Sequence, residues 1–273
     1  MQFIGLDWIG KKYGWAFCKI RSEPSDVEID FGTLAVENHR ESELLQRANK
    51  IVIDVPIGLP QKDELGCECR SCDYGVKKWL GPHYQSSVFP PPTSHELVEW
   101  RRRKQSGEKQ LQGHFRGLLP AIDSGERIKE AFPEKVIESH PELVFTALAG
   151  SPLPKCAKKI TLLGLHLRLS LLASAGNEIN LESLAISEAI PTDNFIDAAA
   201  MALVAISWGM NHRCKVIRDG DGLLQDHGDT ADDSTLMALP FEIPSDRKSL
   251  EISVRETLQL ALQWDPNSRL PIS

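Results

Sequence analysis

The stretch Ile51-Val-Ile-Asp-Val-Pro-Ile-Gly-Leu-Pro60 limits the fold more than any other part of the chain. Four β-branched residues, Ile51, Val52, Ile53 and Val55, surround a single acid, Asp54. Apolar residues on both sides of the acid describe a strand buried on both faces. Pro56 and Gly58 end that strand abruptly. A carboxylate at the end of a buried strand is expensive unless it caps the following turn or meets a cation.

The segments around it supply the sheet. Phe3–Asp7, Tyr13–Ile20 and Val27–Ala35 read as three strands joined by short polar turns, Trp8–Lys12 being the first turn, which makes an antiparallel meander. Asn38–Asn49 reads as a short amphipathic helix. A crossover from there into Ile51 implies parallel pairing of the fourth strand with the first. Residues 61–110 read as irregular up to a helix at Ser94–Gln105. Helices at Gln110–Leu119 and Ala121–Phe132, split at Pro120, a strand at Lys135–Glu138 and helices at Glu142–Ala149 and Lys158–Ala175 follow. Asp193–Met210 is the most apolar helix. Residues 219–235 read as a loose acidic loop, Met237–Ile243 as a last edge strand and Ser245–Gln263 as a terminal helix.

With 273 residues the chain can bury a full core, and it reads as a single domain over 1–273 with an insertion at 61–133 and a C-terminal extension at 219–273. No apolar run is long enough to span a membrane, and the first residues lack the basic leader of a signal peptide. Six cysteines do not make a disulfide scaffold at this length, so the expected compartment is the cytosol, with Cys18, Cys156 and Cys214 as buried or half-buried thiols. A net charge of −7 argues against a protein that coats nucleic acid through its overall field, but suits a locally acidic metal site.

Acids stand at the places where such a fold puts its chemistry. Asp7 ends the first strand, Asp54 the fourth and Glu138 the fifth, while Asp193 and Asp197 share one face of a buried helix. If the first and fourth strands are parallel neighbours, Asp7 and Asp54 emerge side by side at the carboxyl edge of the sheet. Clustered carboxylates raise one another's pKa unless divalent cations neutralise them, and oxygen-only ligation selects Mg²⁺ or Mn²⁺. Each acid also has a plainer reading. Asp7 can cap a turn, Asp54 can form an Asx-turn, Asp193 can be a helix N-cap and Glu138 can pair with a nearby Lys or Arg. Asp197 lies among core residues and has no such reading.

With those residues in view, the chain resembles a family of predicted nucleases with an RNase H-like fold, the domain of unknown function 429. The pieces that carry the resemblance are Ile4-Gly-Leu-Asp7, Ile53-Asp-Val-Pro-Ile-Gly-Leu-Pro60, Arg70-Ser-Cys-Asp73, Ser86-Ser-Val-Phe-Pro90, Gly117-Leu-Leu-Pro120, Glu138-Ser-His-Pro-Glu142, Lys158-Lys159 and Asp193 to Ala200. It implies an α/β fold with a five-stranded mixed sheet (βββαβαβα) flanked by helices, similar to Holliday-junction resolvases. A large helical or irregular insertion follows the fourth strand. It also implies that Asp7, Asp54, Glu138, Asp193 and Asp197 hold the metal, and that the partner is a nucleic acid whose phosphodiester bonds are hydrolysed.

Other residues offer supporting roles. Arg70, Ser86, Ser87, His140, Lys158 and Lys159 are candidates for holding substrate phosphates, with His140 able to shuttle a proton. Arg101–Lys104 is either a phosphate contact or a solvated helix face. Trp8 and Trp15 either stack on a base or pack in the core. Cys67, Cys69 and Cys72, with His83 as a possible fourth ligand, either hold a structural zinc or are free thiols. Two further functions compete with the nuclease: a non-catalytic nucleic-acid- or protein-binding module on the same fold, and an actin-like phosphotransferase using Asp7-x-x-Gly10.

Overall fold

The structure is a computed structural model that describes residues 1–10, 14–23, 26–35, 42–60, 70–109, 117–174, 192–211, 214–217, 224–226 and 237–240. Strands β1 (Gln2–Gly10), β2 (Gly14–Glu23) and β3 (Asp26–Leu34) form the expected antiparallel meander. After helix α1 (Glu43–Arg47), β4 (Lys50–Ile53) pairs parallel with β1, and β5 (Val136–Glu138) pairs parallel with β4. These five strands, in the order β3-β2-β1-β4-β5, are the mixed sheet anticipated from the sequence.

Three short strands extend it. Among the described residues β6 (Cys214–Ile217), β7 (Leu224–Asp226) and β8 (Met237–Pro240) bring the sheet to eight strands in the order β3-β2-β1-β4-β5-β8-β6-β7. Met237–Pro240 is therefore not an edge strand; it joins β5 to β6. Part of the segment expected to be a loose loop forms β7, antiparallel to β6. A three-residue strand is too short to display alternation in sequence. The terminal helix expected at 245–263 and residues 110–116 lie outside the described residues.

Helices cover both faces of the sheet, as the run at 51–53 demands. Ile51, Val52 and Ile53 are all fully buried, each worth about 1.5–3 kcal/mol relative to exposure. On one face Phe3, Val52 and Ile137 pack with residues from α5 (Pro141–Ala149), α6 (Leu162–Ser174) and α7 (Thr192–Asn211). On the other, Ile4, Leu6, Ile51, Ile53 and Val136 pack with Leu45 and Ala48 at α1, and with Ala121 and Ile128 of α4 (Leu119–Ala131). No helix among the described residues is long and apolar enough to cross a membrane.

Gly5 sets the distance between α7 and the sheet. A Cβ there would fall on the carbonyl oxygen of Ala198 and the backbone nitrogen of Ala202. Only glycine lets the helix lie directly on β1, and this brings the first turns of α7 up to Asp7.

Two local expectations fail for identifiable reasons. The region after Pro60 is not irregular throughout, because α2 runs from Ser71 to Tyr84. Gly75, Gly81 and Pro82 lower its helix signal, and the chain kinks at Gly81, whose φ is 67°. Pro120 does not split two helices; it sits in the first turn of α4, where its missing N–H costs nothing. The next helix in the sequence, α3 (Ser94–Ser106), begins where expected. Thr93 accepts from Glu96 N, and the Glu96 side chain accepts from Thr93 N.

Candidate metal centre

Asp7 does not end its strand. β1 continues to Gly10 along β2, with Asp7 opposite Ala16 and Trp8 opposite Trp15. The parallel partner leaves first: the β1–β4 register stops at Leu6 and Ile53, and Asp54 N still donates to Leu6 O at 3.0 Å. Asp7 and Asp54 are thus the next residues on adjacent parallel strands, near enough that the Asp54 charge raises the Asp7 carboxyl.

By the two-residue alternation of a strand, Asp7 shares a face with Phe3 and Gly5, and Asp54 with Val52. That is the face covered by α7, which contributes Asp197, Asn194 and Asp193. Asp197 is fully buried, and Asn194 donates to Asp7 Oδ2 at 2.6 Å. Asp193 lies inside the first turn of α7, so it is not the N-cap. Lys159 reaches Asp197 Oδ2 at 2.7 Å and Asp193 Oδ2 at 3.6 Å. Asp197 Oδ1 is buried and has no hydrogen-bond partner.

The electrostatics follow from this crowding. Burial lifts the Asp7 carboxyl well above the ordinary carboxylate range; Asp197 and Asp54 lift it further, against the Asn194 hydrogen bond and Lys159. Burial pushes Asp54 up to about 8, with the Asp197 charge adding to it. Asp197 is raised by burial, which Lys159 partly offsets. Burial favours the neutral amine of Lys159, but Asp197, Asp7 and Asp193 outweigh it and hold the ammonium charged. Three acids share one neighbouring ammonium, which is the condition a divalent cation relieves.

Glu138 lines the same cavity and its charge also raises Asp54, but its carboxylate is committed to other partners. The β4–β5 register aligns it with Ile53, so alternation points it to the face opposite Asp54. There it accepts two bonds from Arg70, at 2.6 and 2.7 Å, and one from Ile57 N at 2.7 Å. Arg70 is equally committed. All five of its N–H donors are engaged, by Asp73, Glu138 and Ile57 O. Arg70 is therefore a buried strut that fixes the loop after β4, with no donor left for a phosphate. Arg70→Ala is expected to destabilise the fold by about 3–5 kcal/mol in chemical denaturation, because it strands two buried carboxylates. Removing Arg70, Asp73 and Glu138 charges together should recover much of that loss.

The remaining candidates divide. His140 caps α5: its Nδ1 accepts from Glu142 N at 3.2 Å, and its Nε2 lies 3.3 Å from Ser87 O. With one nitrogen accepting and the other donating it is the neutral imidazole, and burial lowers its pKa. Ser87 is half-buried, with Oγ donating to Tyr84 O at 2.7 Å, whereas Ser86 is exposed. Lys158 is exposed, and neither lysine opens a helix, since α6 begins at Leu162. Gly164 makes this possible, for a Cβ there would strike Lys158 O. The run Arg101–Arg103 is neutralised by its own surroundings. Arg101 pairs with Asp123, Arg102 with Glu99 and Glu108, and Arg103 with Glu99. Trp15 is fully buried, donates to Ser124 and meets Trp8 edge-on at 5.2 Å, so both rings pack in the core. Cys67 and Cys69 lie outside the described residues. Cys72 is buried beside Asp73, and His83 is exposed at the far end of α2, on the order of 16 Å along an ideal helix. Cys18 is buried as expected, but Cys156 is exposed.

Sequence reasoning missed three members of this region. Asn194 is one turn before Asp197 and so detectable by helical spacing. Glu142 and Arg168 form an ion pair in which Arg168 Nη2 donates at 2.7 Å to each carboxylate oxygen, with Arg168 completely buried and its Nε unpartnered. Nothing in a Leu-rich helix announces such a partner.

A cavity of about 370 Å³ opens over the acids. Asp54, Asp197, Lys159, Ser87 and His140 line it, while Asp7 lies behind them. Among the described residues no group of three His, Cys, Asp or Glu side chains is spaced to hold an ion as it stands. The residues nevertheless fit Mg²⁺ or Mn²⁺. A Mg²⁺ ion takes only one or two protein carboxylates and keeps its waters, Asp7 and Asp54 provide two, and the unpartnered Asp197 oxygen adds acceptor capacity. No match was found among curated proteins or among solved structures. One family model matches residues 5–221, and the chain accordingly belongs to the family described as "Protein of unknown function (DUF429)".

Proposed function

We propose that the protein is a Mg²⁺- or Mn²⁺-dependent nuclease whose centre is Asp7, Asp54 and Asp197. The observation that carries this reading is the side-by-side placement of Asp7 and Asp54 at the ends of the paired β1 and β4 segments, crowded against Asp197 beneath a cavity, with one Asp197 carboxylate oxygen unpartnered. Such a group is costly to assemble for structure alone, since apolar residues would pack the same space without the repulsion. A bound divalent cation would supply Lewis-acid stabilisation at phosphorus and acidify a water.

The chain's own residues do the rest. Asp7 and Asp54 would hold the ion once their raised carboxyls are deprotonated. Asn194 fixes one oxygen of Asp7, so the carboxylate cannot rotate freely. Lys159 is the cation in reach of an entering phosphate; its hold on Asp197 and Asp193 keeps it at the cavity wall until then. Arg70 and Glu138, which also line the cavity, stiffen the loop after Asp54. His140, neutral and held at both nitrogens, positions Ser87 rather than carrying protons.

Incubating the protein with single- and double-stranded DNA and RNA in Mn²⁺ tests this. Cleavage is expected with Mn²⁺, not in chelator, and not by Asp7→Asn or Asp54→Asn. Cleavage by both variants at the wild-type rate would remove the site assignment.

One observation favours a second reading. Lys159 already neutralises part of the acidic cluster, as it would in a binding module that uses no metal. In that case nucleic acid binds equally in chelator and in Mn²⁺, and neither substitution affects function.

A further inference from the structure

The cavity lining is of two kinds: Asp54, Asp197 and Lys159 are charged, and Phe89, Leu118 and Ile122 are apolar. Phe89 is 58% exposed and belongs to none of the four apolar clusters. A large ring left in water at the mouth of a charged cavity has no structural task.

Its mounting is stiff. Val88, the residue before it, is buried and donates through its backbone to Gln85 O at 3.4 Å. Pro90 and Pro91 follow, and a proline holds the residue before it in an extended conformation. The short 3₁₀ turn at Gln85–Ser87 is tied by the Ser87 hydroxyl to Tyr84 O and by Ser87 O to the His140 ring. A ring held out this way loses little freedom on meeting a ligand.

Resting on the nuclease reading, we propose that Phe89 is a stacking platform for an unpaired base adjoining the scissile phosphate, so that the substrate is single-stranded or locally unpaired nucleic acid. A ligand that uses both kinds of lining has a flat apolar part and an anionic part, as a nucleotide does. The cavity, at about 370 Å³, holds about one such unit rather than a duplex. A base inside a duplex is already stacked on its neighbours and cannot offer its face to the ring. Trp8 and Trp15 pack in the core, and Phe89 is the Phe, Tyr or Trp ring that lines this cavity among the described residues.

The test is binding of a labelled short single-stranded oligonucleotide in EDTA, where no cleavage occurs, by wild type, Phe89→Ala and Phe89→Trp. A blunt duplex and a free mononucleotide serve as further arms. Phe89→Ala should weaken single-strand binding by roughly ten-fold or more, as loss of one base–aromatic stack does. Phe89→Trp should retain it, duplex should bind more weakly than single strand, and the mononucleotide more weakly still. Because the ring is exposed, both variants should fold, as checked by circular dichroism. Equal binding by Phe89→Ala, tighter binding of duplex, or no single-strand binding by wild type overturns the platform. Cleavage in Mn²⁺, measured in parallel, separates the two claims. Cleavage that ignores Phe89 overturns the platform and keeps the nuclease; binding that needs Phe89 without any cleavage supports the platform and overturns the nuclease.

Discussion

Asp54→Asn is expected to abolish Mn²⁺-dependent cleavage and, without metal, to make the protein more stable. The two effects have one origin. The carboxylate supplies part of the ion's charge partner, and losing several kcal/mol of charge stabilisation costs about a thousand-fold in rate at roughly 1.36 kcal/mol per ten-fold. In the apo protein the same carboxylate is held near Asp7 and Asp197, and its pKa stands at about 8. The sign follows from proton counting. An acid whose pKa is higher in the folded state binds more protons folded than unfolded, so stability falls as pH rises. The loss runs from about 4, the ordinary carboxylate value, to about 8. Thermal unfolding in chelator should therefore show wild type weakening across that range and Asp54→Asn weakening less. At pH 8 the variant should melt a few degrees higher, and at pH 4 the two should nearly coincide. Mn²⁺ should raise the wild-type melting temperature and leave that of the variant unchanged. A variant destabilised at pH 8 would mean that Asp54 is a structural turn residue.

Gly5→Ala is the second large effect, and it acts through the helix rather than the ion. The added methyl falls on backbone atoms of Ala198 and Ala202, which cannot move aside as a flexible side chain would. Overpacking typically costs about 1–3 kcal/mol, and a backbone obstacle places this site at or above the top of that range. In a chain of this size about 3 kcal/mol corresponds to a fall of about 5 °C in melting temperature. Because α7 carries Asn194 and Asp197, displacing it should also weaken Mn²⁺ binding, although Gly5 touches no metal-binding group. Gly117→Ala, where a Cβ meets nothing within 4 Å, is the matched control and should change stability by less than about 0.5 kcal/mol.

The acids on strands β1 and β4 and on helix α7 were legible because their surroundings are apolar without interruption. Asp54 follows Ile51–Ile53, and Asp197 sits between Ile196 and Ala198, so each is conspicuous against a core. Parallel pairing of β1 and β4 followed from the crossover, and the register then put Asp7 beside Asp54. Glu138 looked equivalent, an acid at the end of a short strand. Its face depends on a register of one residue between β4 and β5, which three residues of sequence do not encode. Its partner Arg70 is 68 residues away and follows a segment without periodicity. Likewise the basic run at 101–104 reads as a phosphate patch until Glu99, Glu108 and Asp123 are placed around it. Strands β6 and β7, of four and three residues, carry too few positions for a pattern. Long-range pairing, more than local propensity, is what the sequence withheld.

The most direct measurement is a calorimetric titration of Mn²⁺ into the chelator-stripped protein near neutral pH, repeated in two buffers of different ionisation enthalpy. Saturable binding should occur, with protons released as the raised Asp7 and Asp54 carboxyls take up the ion, and affinity should rise with pH through about 8. Asp7→Asn and Asp54→Asn should each abolish it. No saturable binding, or binding that both variants retain, would contradict the assignment of these acids to a metal centre.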